Sequence, residues 1–282
     1  MQYGASTFIW ASPFSNRTLD LIDKVKAIGF DLIEICVEDA NTIDVAAIRA
    51  RAAQAGVGVT ICGAFGPSRD MSSEEGQVRK AALDYLKRCI DFAAELGSPF
   101  ISGPMYAAVG STRLLDEAAR REQWSRAVAG LKSAAAYADS KGVRLAVEPL
   151  NRFETDLINT VDQGLRLIRE IGADNVGLLL DTFHMNIEEK DIPAAIRRAG
   201  GHIVEFHASS NDRGTPGDDH LPWRAIAGAL REAGYQGPVV IEAFTPEIQE
   251  IARAVSIWRP LARSQDALAK EGLRNLRAAF EP

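Results

Sequence analysis

The sequence predicts an α/β fold of one kind, a (β/α)8 TIM barrel. Three observations carry this. Short apolar runs alternate with longer, Ala-rich amphipathic segments along the whole 282-residue chain. The alternation repeats eight times, which favours a closed barrel over an open sheet. The stretch after the first run reads "ASPFSNRT" and contains no GxGxxG, so the phosphate loop of an open doubly wound sheet is missing.

The first four runs are "YGASTFIW" (3–10), "DLIEICV" (31–37), "GVTICGAF" (58–65) and "PFISGPM" (99–105). The last four are "RLAVEPL" (144–150), "VGLLLD" (176–181), "HIVEFHA" (202–208) and "PVVIEAF" (238–244). Each run after the first follows a helix-ending signal such as "AIGF", "AELGSP" or "REIGADN", where glycine supplies the left-handed residue that closes a helix. Segments between the runs carry helical periodicity, as in "VRKAALDYLKRCIDFAAEL" (78–96) and "WSRAVAGLKSAAAYA" (124–138). No linker or low-complexity tract interrupts the pattern, so one domain is expected over 1–282. The longest irregular stretches, 106–118, 209–222 and 245–264, all follow a strand. In a barrel that puts them on the catalytic face.

Composition narrows the function classes. A net charge of −6 argues against a nucleic-acid partner, which needs a concentrated positive field. It also gives no reason to expect an anionic membrane surface. Three widely spaced cysteines, Cys36, Cys62 and Cys89, with no CxxC, argue against a disulfide framework or zinc knuckle and for a reducing compartment. The start "MQYGASTFIWASPF" lacks the basic and apolar regions of a signal peptide, and no run is long enough to span a bilayer. A cytoplasmic protein is expected.

Barrel chemistry sits at the C-terminal ends of strands. Runs five to eight end in Glu148, Asp181, His207 and Glu242, spaced 33, 26 and 35 residues apart, about one βα unit each. Any one of these alone could be a salt-bridged structural residue. Four in register on adjacent strands are harder to explain that way, because clustered carboxylates repel and their burial costs several kcal/mol each without partners. A divalent cation resolves this, and three carboxylates with one imidazole suit Mn2+ foremost, with Mg2+, Co2+ or Zn2+ as alternatives. A second layer follows the same spacing. Glu154 lies six residues after Glu148, His184 three after Asp181 and Arg213 six after His207, and these are expected to contact substrate.

The segments "VEPLNRFET", "LDTFHMNIEE", "LPWRAIAGALREAGYQG" and "ARAVSIWR" make the chain resemble the ketose 3-epimerases, the D-tagatose/D-allulose/L-ribulose 3-epimerase group of the sugar isomerase/epimerase barrels. The resemblance runs along nearly the whole chain. It implies that Glu148, Asp181, His207 and Glu242 hold the metal, and that Glu154, His184 and Arg213 contact the sugar around O1 to O3. It implies C3 epimerisation of a free ketose, with Glu148 and Glu242 exchanging the C3 proton from opposite faces through an enediolate. Trp10 and Cys62 resemble pocket residues of the family, and a homodimer or homotetramer is implied.

Two departures bear on the substrate more than on the chemistry. Family members often carry a glutamate three residues after the metal histidine, where this chain has Ser210, and "GPMYAAVG" lacks a tryptophan some relatives have. Glu34 is expected as a further mouth carboxylate or as a structural acid behind the site. His202 and His220 are expected to be structural and solvated, and Cys36 and Cys89 small core residues. The rival reading is a related isomerase on the same metal site, of the hydroxypyruvate type or acting on a keto-inositol, or a keto-inositol dehydratase. A multi-zinc endonuclease would need more than the four histidines present and a basic face. A sugar-binding barrel without catalysis would not need the acid–base pair.

Overall fold

The computed structural model describes residues 1–281. Eight strands, each parallel to its neighbours, close into a barrel in chain order. They are β1 Tyr3–Ser6, β2 Leu32–Val37, β3 Gly58–Gly63, β4 Phe100–Gly103, β5 Arg144–Val147, β6 Val176–Asp181, β7 Ile203–His207 and β8 Val239–Ile241. The helices begin with α1 Leu21–Ile28, α2 Val45–Ala55, α3 Gly76–Leu96, α4 Glu117–Ser140 and α5 Val161–Ile171. They continue with α6 Thr182–Glu188, α7 Ile192–Ala199, α8 Trp223–Glu232, α9 Gln249–Ala254 and α10 Gln265–Phe280. No helix among the described residues is long and apolar enough to cross a membrane.

Local sequence sets these boundaries. At the start of α5, Thr160 and Gln163 form a capping box: the Thr160 hydroxyl accepts from the Gln163 N–H, and the Gln163 side chain accepts from the Thr160 N–H. The helix then buries Val161, Gly164, Leu167, Ile168 and Ile171, one face at helical spacing. It stops at Gly172, whose positive φ is the conformation expected there. Several strands are shorter than their apolar runs. β1 ends at Ser6 because its hydroxyl accepts from the Phe8 N–H and starts a 3-10 turn over Thr7–Ile9. β5 and β8 end one residue before Glu148 and Glu242.

Residues two apart on a strand face the same side. Outward residues such as Ile33, Ile35, Ile61, Val147, Leu178 and Leu180 pack against the helices in one continuous apolar layer. Inward, Phe100, Ala146, Leu179 and Val204 form a small apolar plug. The inward series turns polar towards the C-terminal ends from Ala146 to Glu148 and from Leu179 to Asp181, and on β7 both Glu205 and His207 are polar. Asp181 and His207 are register partners, as are Leu179 and Glu205. The barrel wall therefore lifts three carboxylates and one imidazole to one level, above an apolar plug and the buried acids Glu34 and Glu205.

Candidate active site

Glu148, Asp181, His207 and Glu242 converge, each offering a ligand atom within 4.8 Å of the others. All are buried, with His207 fully enclosed. Asp181 divides its two oxygens. Oδ1 accepts from the Phe183 N–H at 2.7 Å and caps α6. Oδ2 turns into the cup, where it accepts from Ser209 Oγ at 2.9 Å and from Arg213 Nη1 at 2.8 Å. The same Nη1 donates to Glu242 Oε2 at 2.8 Å. The guanidinium carbon lies 4.1 and 5.0 Å from the ring centres of Phe183 and Phe244. Arg213 is one of two non-glycine residues with positive φ among those described, at 65°; this turns its side chain back over the mouth.

The residues fit a divalent cation by observations of their own. Buried His207 Nδ1 and Glu148 Oε1 have no hydrogen-bond partner, although each is a good donor to a metal. His207 Nδ1 lies 3.7 Å from both Asp181 Oδ2 and Glu242 Oε2. The cup also calls for positive charge. Burial and the neighbouring Glu242 charge push the Glu148 carboxyl well above the usual range. Burial opposes charge on His207, yet Glu34 and Glu242 outweigh it and raise its pKa well above the ordinary value. Burial likewise works against Asp181, but the Arg213 guanidinium and His207 hold its carboxyl well below the usual range.

The polar layer over the cup is organised by a residue that sequence reasoning passed over. Asn151 donates its backbone N–H to His184 Nδ1 at 3.0 Å, and its Nδ2 donates to Glu154 Oε1 at 2.8 Å. His184 Nδ1 accepts from this backbone N–H, and Nε2 faces the cup, 3.1 Å from Arg213 Nη2 and 3.6 Å from Glu148 Oε1. Burial is the main cause that lowers the His184 pKa, to about 4; the Asp181 charge opposes the fall and the Arg213 charge adds to it. The imidazole is therefore neutral at physiological pH. Asn151 stands inside "LNRFE", in the loop already assigned to the mouth, and that position was the available signal.

Glu148, Glu154, His184, Arg213 and Glu242 line one cavity of about 220 Å³. Its remaining wall is largely apolar, including Phe8, Phe65, Leu150, Phe244 and Ile251. This is smaller than the roughly 300–1,000 Å³ of drug-sized pockets and suits a small polar molecule. Cys62 lines it. Trp10 does not; its indole N–H donates to Asp266 on α10 at 2.7 Å, with Lys24 of α1 over the ring. The early end of β1 changes the phase of the chain, and Phe8 takes the place at the cavity. Glu34 is not at the mouth but fully buried beneath it, against His207 Nε2 at 3.1 Å. His202 lies just before β7, and His220 Nε2 contacts Asn186 Oδ1 at 3.0 Å. The 245–264 stretch contains α9, and Ile251, Ala254 and Val255 close the cavity from above.

Fold and site together define a class: a barrel of the sugar isomerase and epimerase kind, whose cup of acids and one histidine can hold a divalent ion. A family model described as xylose isomerase-like TIM barrel matches residues 22–279. A probable ketose 3-epimerase of Synechocystis sp. is 36% identical over 281 residues, covering 100% of this chain and 97% of the relative. An L-ribulose 3-epimerase of Mesorhizobium japonicum is 36% identical, covering 95% and 90%. A solved structure of an L-ribulose 3-epimerase superposes with a TM-score of 0.94 at 34% identity, covering 99% of this chain and 94% of that one. The chain belongs to the ketose 3-epimerase family.

Proposed function

We propose that the protein epimerises a free ketose at C3 with a divalent metal, Mn2+ foremost, held by Glu148, Asp181, His207 and Glu242. The observation that carries the reading is the placing of two carboxylates, Glu148 and Glu242, in one cup beneath a cavity of small-molecule size. The metal would polarise the C2 carbonyl and neutralise charge that develops as the C3 proton leaves. Glu148 and Glu242 are the proton carriers, one removing the C3 proton and the other returning one from the opposite face. Their positions are fixed by strand ends, and geometry comes before pKa in general base catalysis.

His184, Arg213 and Glu154 hold the substrate oxygens, so the planar intermediate cannot rotate. Cys62 and the aromatic wall receive the distal carbons. A free sugar is favoured over a sugar phosphate because the cavity wall beyond the catalytic layer is largely apolar and Arg213, its one cationic lining residue, is engaged by Asp181 and Glu242.

The test is isotopic. The protein is incubated with Mn2+ in D2O with D-fructose, D-tagatose, L-ribulose or D-erythrulose and followed by NMR. Deuterium is expected at C3 of at least one ketose, and EDTA should abolish it. Label at C1 alone would assign an aldose–ketose isomerase instead.

A further inference from the structure

Three acidic or imidazole side chains meet inside the barrel below the cavity, and the metal site described above uses only one of them. Glu34 on β2, Glu205 on β7 and His207 offer ligand-type atoms within 4.8 Å of one another, and all three are fully buried. Glu34 reaches across the barrel interior from the strand pair β1–β2, where its register partner is Ser6. Its Oε2 lies 3.1 Å from His207 Nε2 and accepts a second, longer bond from Ser102 Oγ at 3.4 Å. Glu205 stands two residues before His207 on the same strand, with its Oε2 3.9 Å from the same Nε2. The other ring nitrogen, Nδ1, faces Asp181 and Glu242 and has no partner.

We propose that Glu34 is a positioning residue for the metal site: it accepts a hydrogen bond from His207 Nε2–H, so that Nδ1 is the nitrogen presented to the cation. The Ser102 hydroxyl helps to hold the Glu34 carboxylate in place. The argument is one of tautomer and direction. An imidazole that binds a metal through one nitrogen must carry its proton on the other, and the partner of that proton fixes both the choice and the ring angle. Here the alternative nitrogen is committed to a carboxylate on a distant strand. A ring held only by its own backbone could turn about χ2 and offer either nitrogen. The placement also accounts for an acid at this level of the barrel. An inward residue of β2 at this depth would ordinarily be apolar, because an ionised carboxylate is costly to bury without a partner.

The proposal rests on the reading of the cup as a metal site, and its test uses Mn2+ without any sugar. Metal-stripped wild type, Glu34→Ala and Glu34→Gln are titrated with Mn2+, and free ion is read by EPR. Glu34→Ala is expected to bind Mn2+ about 10- to 100-fold more weakly. Glu34→Gln keeps an acceptor at the same place and should recover most of the loss. A purely structural acid would lower the melting temperature of the stripped protein and leave the affinity of the folded fraction unchanged, so wild-type affinity in a folded Glu34→Ala overturns the proposal. Should the alanine variant fail to fold, nitrogen-15 spectra of Mg2+-loaded wild type decide, since only four histidines need assignment. A proton on His207 Nε2 is expected; a proton on Nδ1 refutes it. Failure of the C3 reading looks different: weakened Mn2+ binding in Glu34→Ala, with no ketose labelled by wild type, leaves this inference standing. No Mn2+ binding by wild type removes both.

Discussion

Replacing Arg213 tests how the cup tolerates its charge. The guanidinium serves Asp181 and Glu242 through one nitrogen at 2.8 Å each, and all three side chains are nearly inaccessible. Arg213→Met keeps much of the apolar contact with Phe183 and Phe244 but leaves two buried carboxylates without their cation. Removing one partner of such a pair costs about 3–5 kcal/mol. For a domain of this size that is a fall in melting temperature on the order of 10 °C. Arg213→Lys keeps the charge and loses the planar guanidinium, so its fall should be smaller. The assay is denaturant unfolding in EDTA and again with excess Mn2+. The ion neutralises the same oxygens, so Mn2+ should narrow the gap between Arg213→Met and wild type. A loss below about 1 kcal/mol in EDTA, or a gap that Mn2+ leaves unchanged, would refute the electrostatic account.

Glu242→Gln and Glu148→Gln should each retain the fold and lower kcat for C3 exchange by at least about 100-fold, the usual span for a positioned acid or base; near-full activity in either would sink the two-carboxylate mechanism. Gly103→Ala should destabilise by about 1–3 kcal/mol, since φ is 123° and a new Cβ would sit 2.8 Å from the Gly63 carbonyl. Because the Gly103 carbonyl accepts from the Glu148 N–H at 3.1 Å, that variant should also lose activity beyond its loss of folded protein. In metal-free protein the His184 ring signals should hold their neutral positions from pH 8 down to pH 5, because burial lowers its pKa to about 4. A midpoint near the ordinary 6.5 would mean the ring is solvated.

The barrel was legible because its repeat is written twice, in strand composition and in helix-ending glycines, and both marks depend on neighbours in sequence. The cup was legible for the same reason. Once strands five to eight were placed, spacings of 33, 26 and 35 residues put Glu148, Asp181, His207 and Glu242 at one level. Features that arise from partners far apart in the chain were not legible. Trp10 was expected in the pocket because its run reads as one strand to residue 10, yet a serine hydroxyl ends β1 four residues earlier. Glu34 was left open between the mouth and a structural place behind the site, and only the folded chain sets it below the mouth, 173 residues from the imidazole it touches. Asn151 and Ser209 act through bonds to His184, Glu154 and Asp181, and short polar residues in loops carry no periodic mark.

Asp181 has two audiences. One oxygen fastens the first turn of α6, and the other belongs to the cup. His184 rides on that same turn, three residues along. A single carboxylate thus ties the height of the cavity-lining imidazole to the spot where an ion would sit. Any shift of Asp181 on loading would be passed through one turn of helix to the imidazole at the cavity. Metal occupancy and sugar affinity should therefore rise and fall together, with no moving loop required to carry the message.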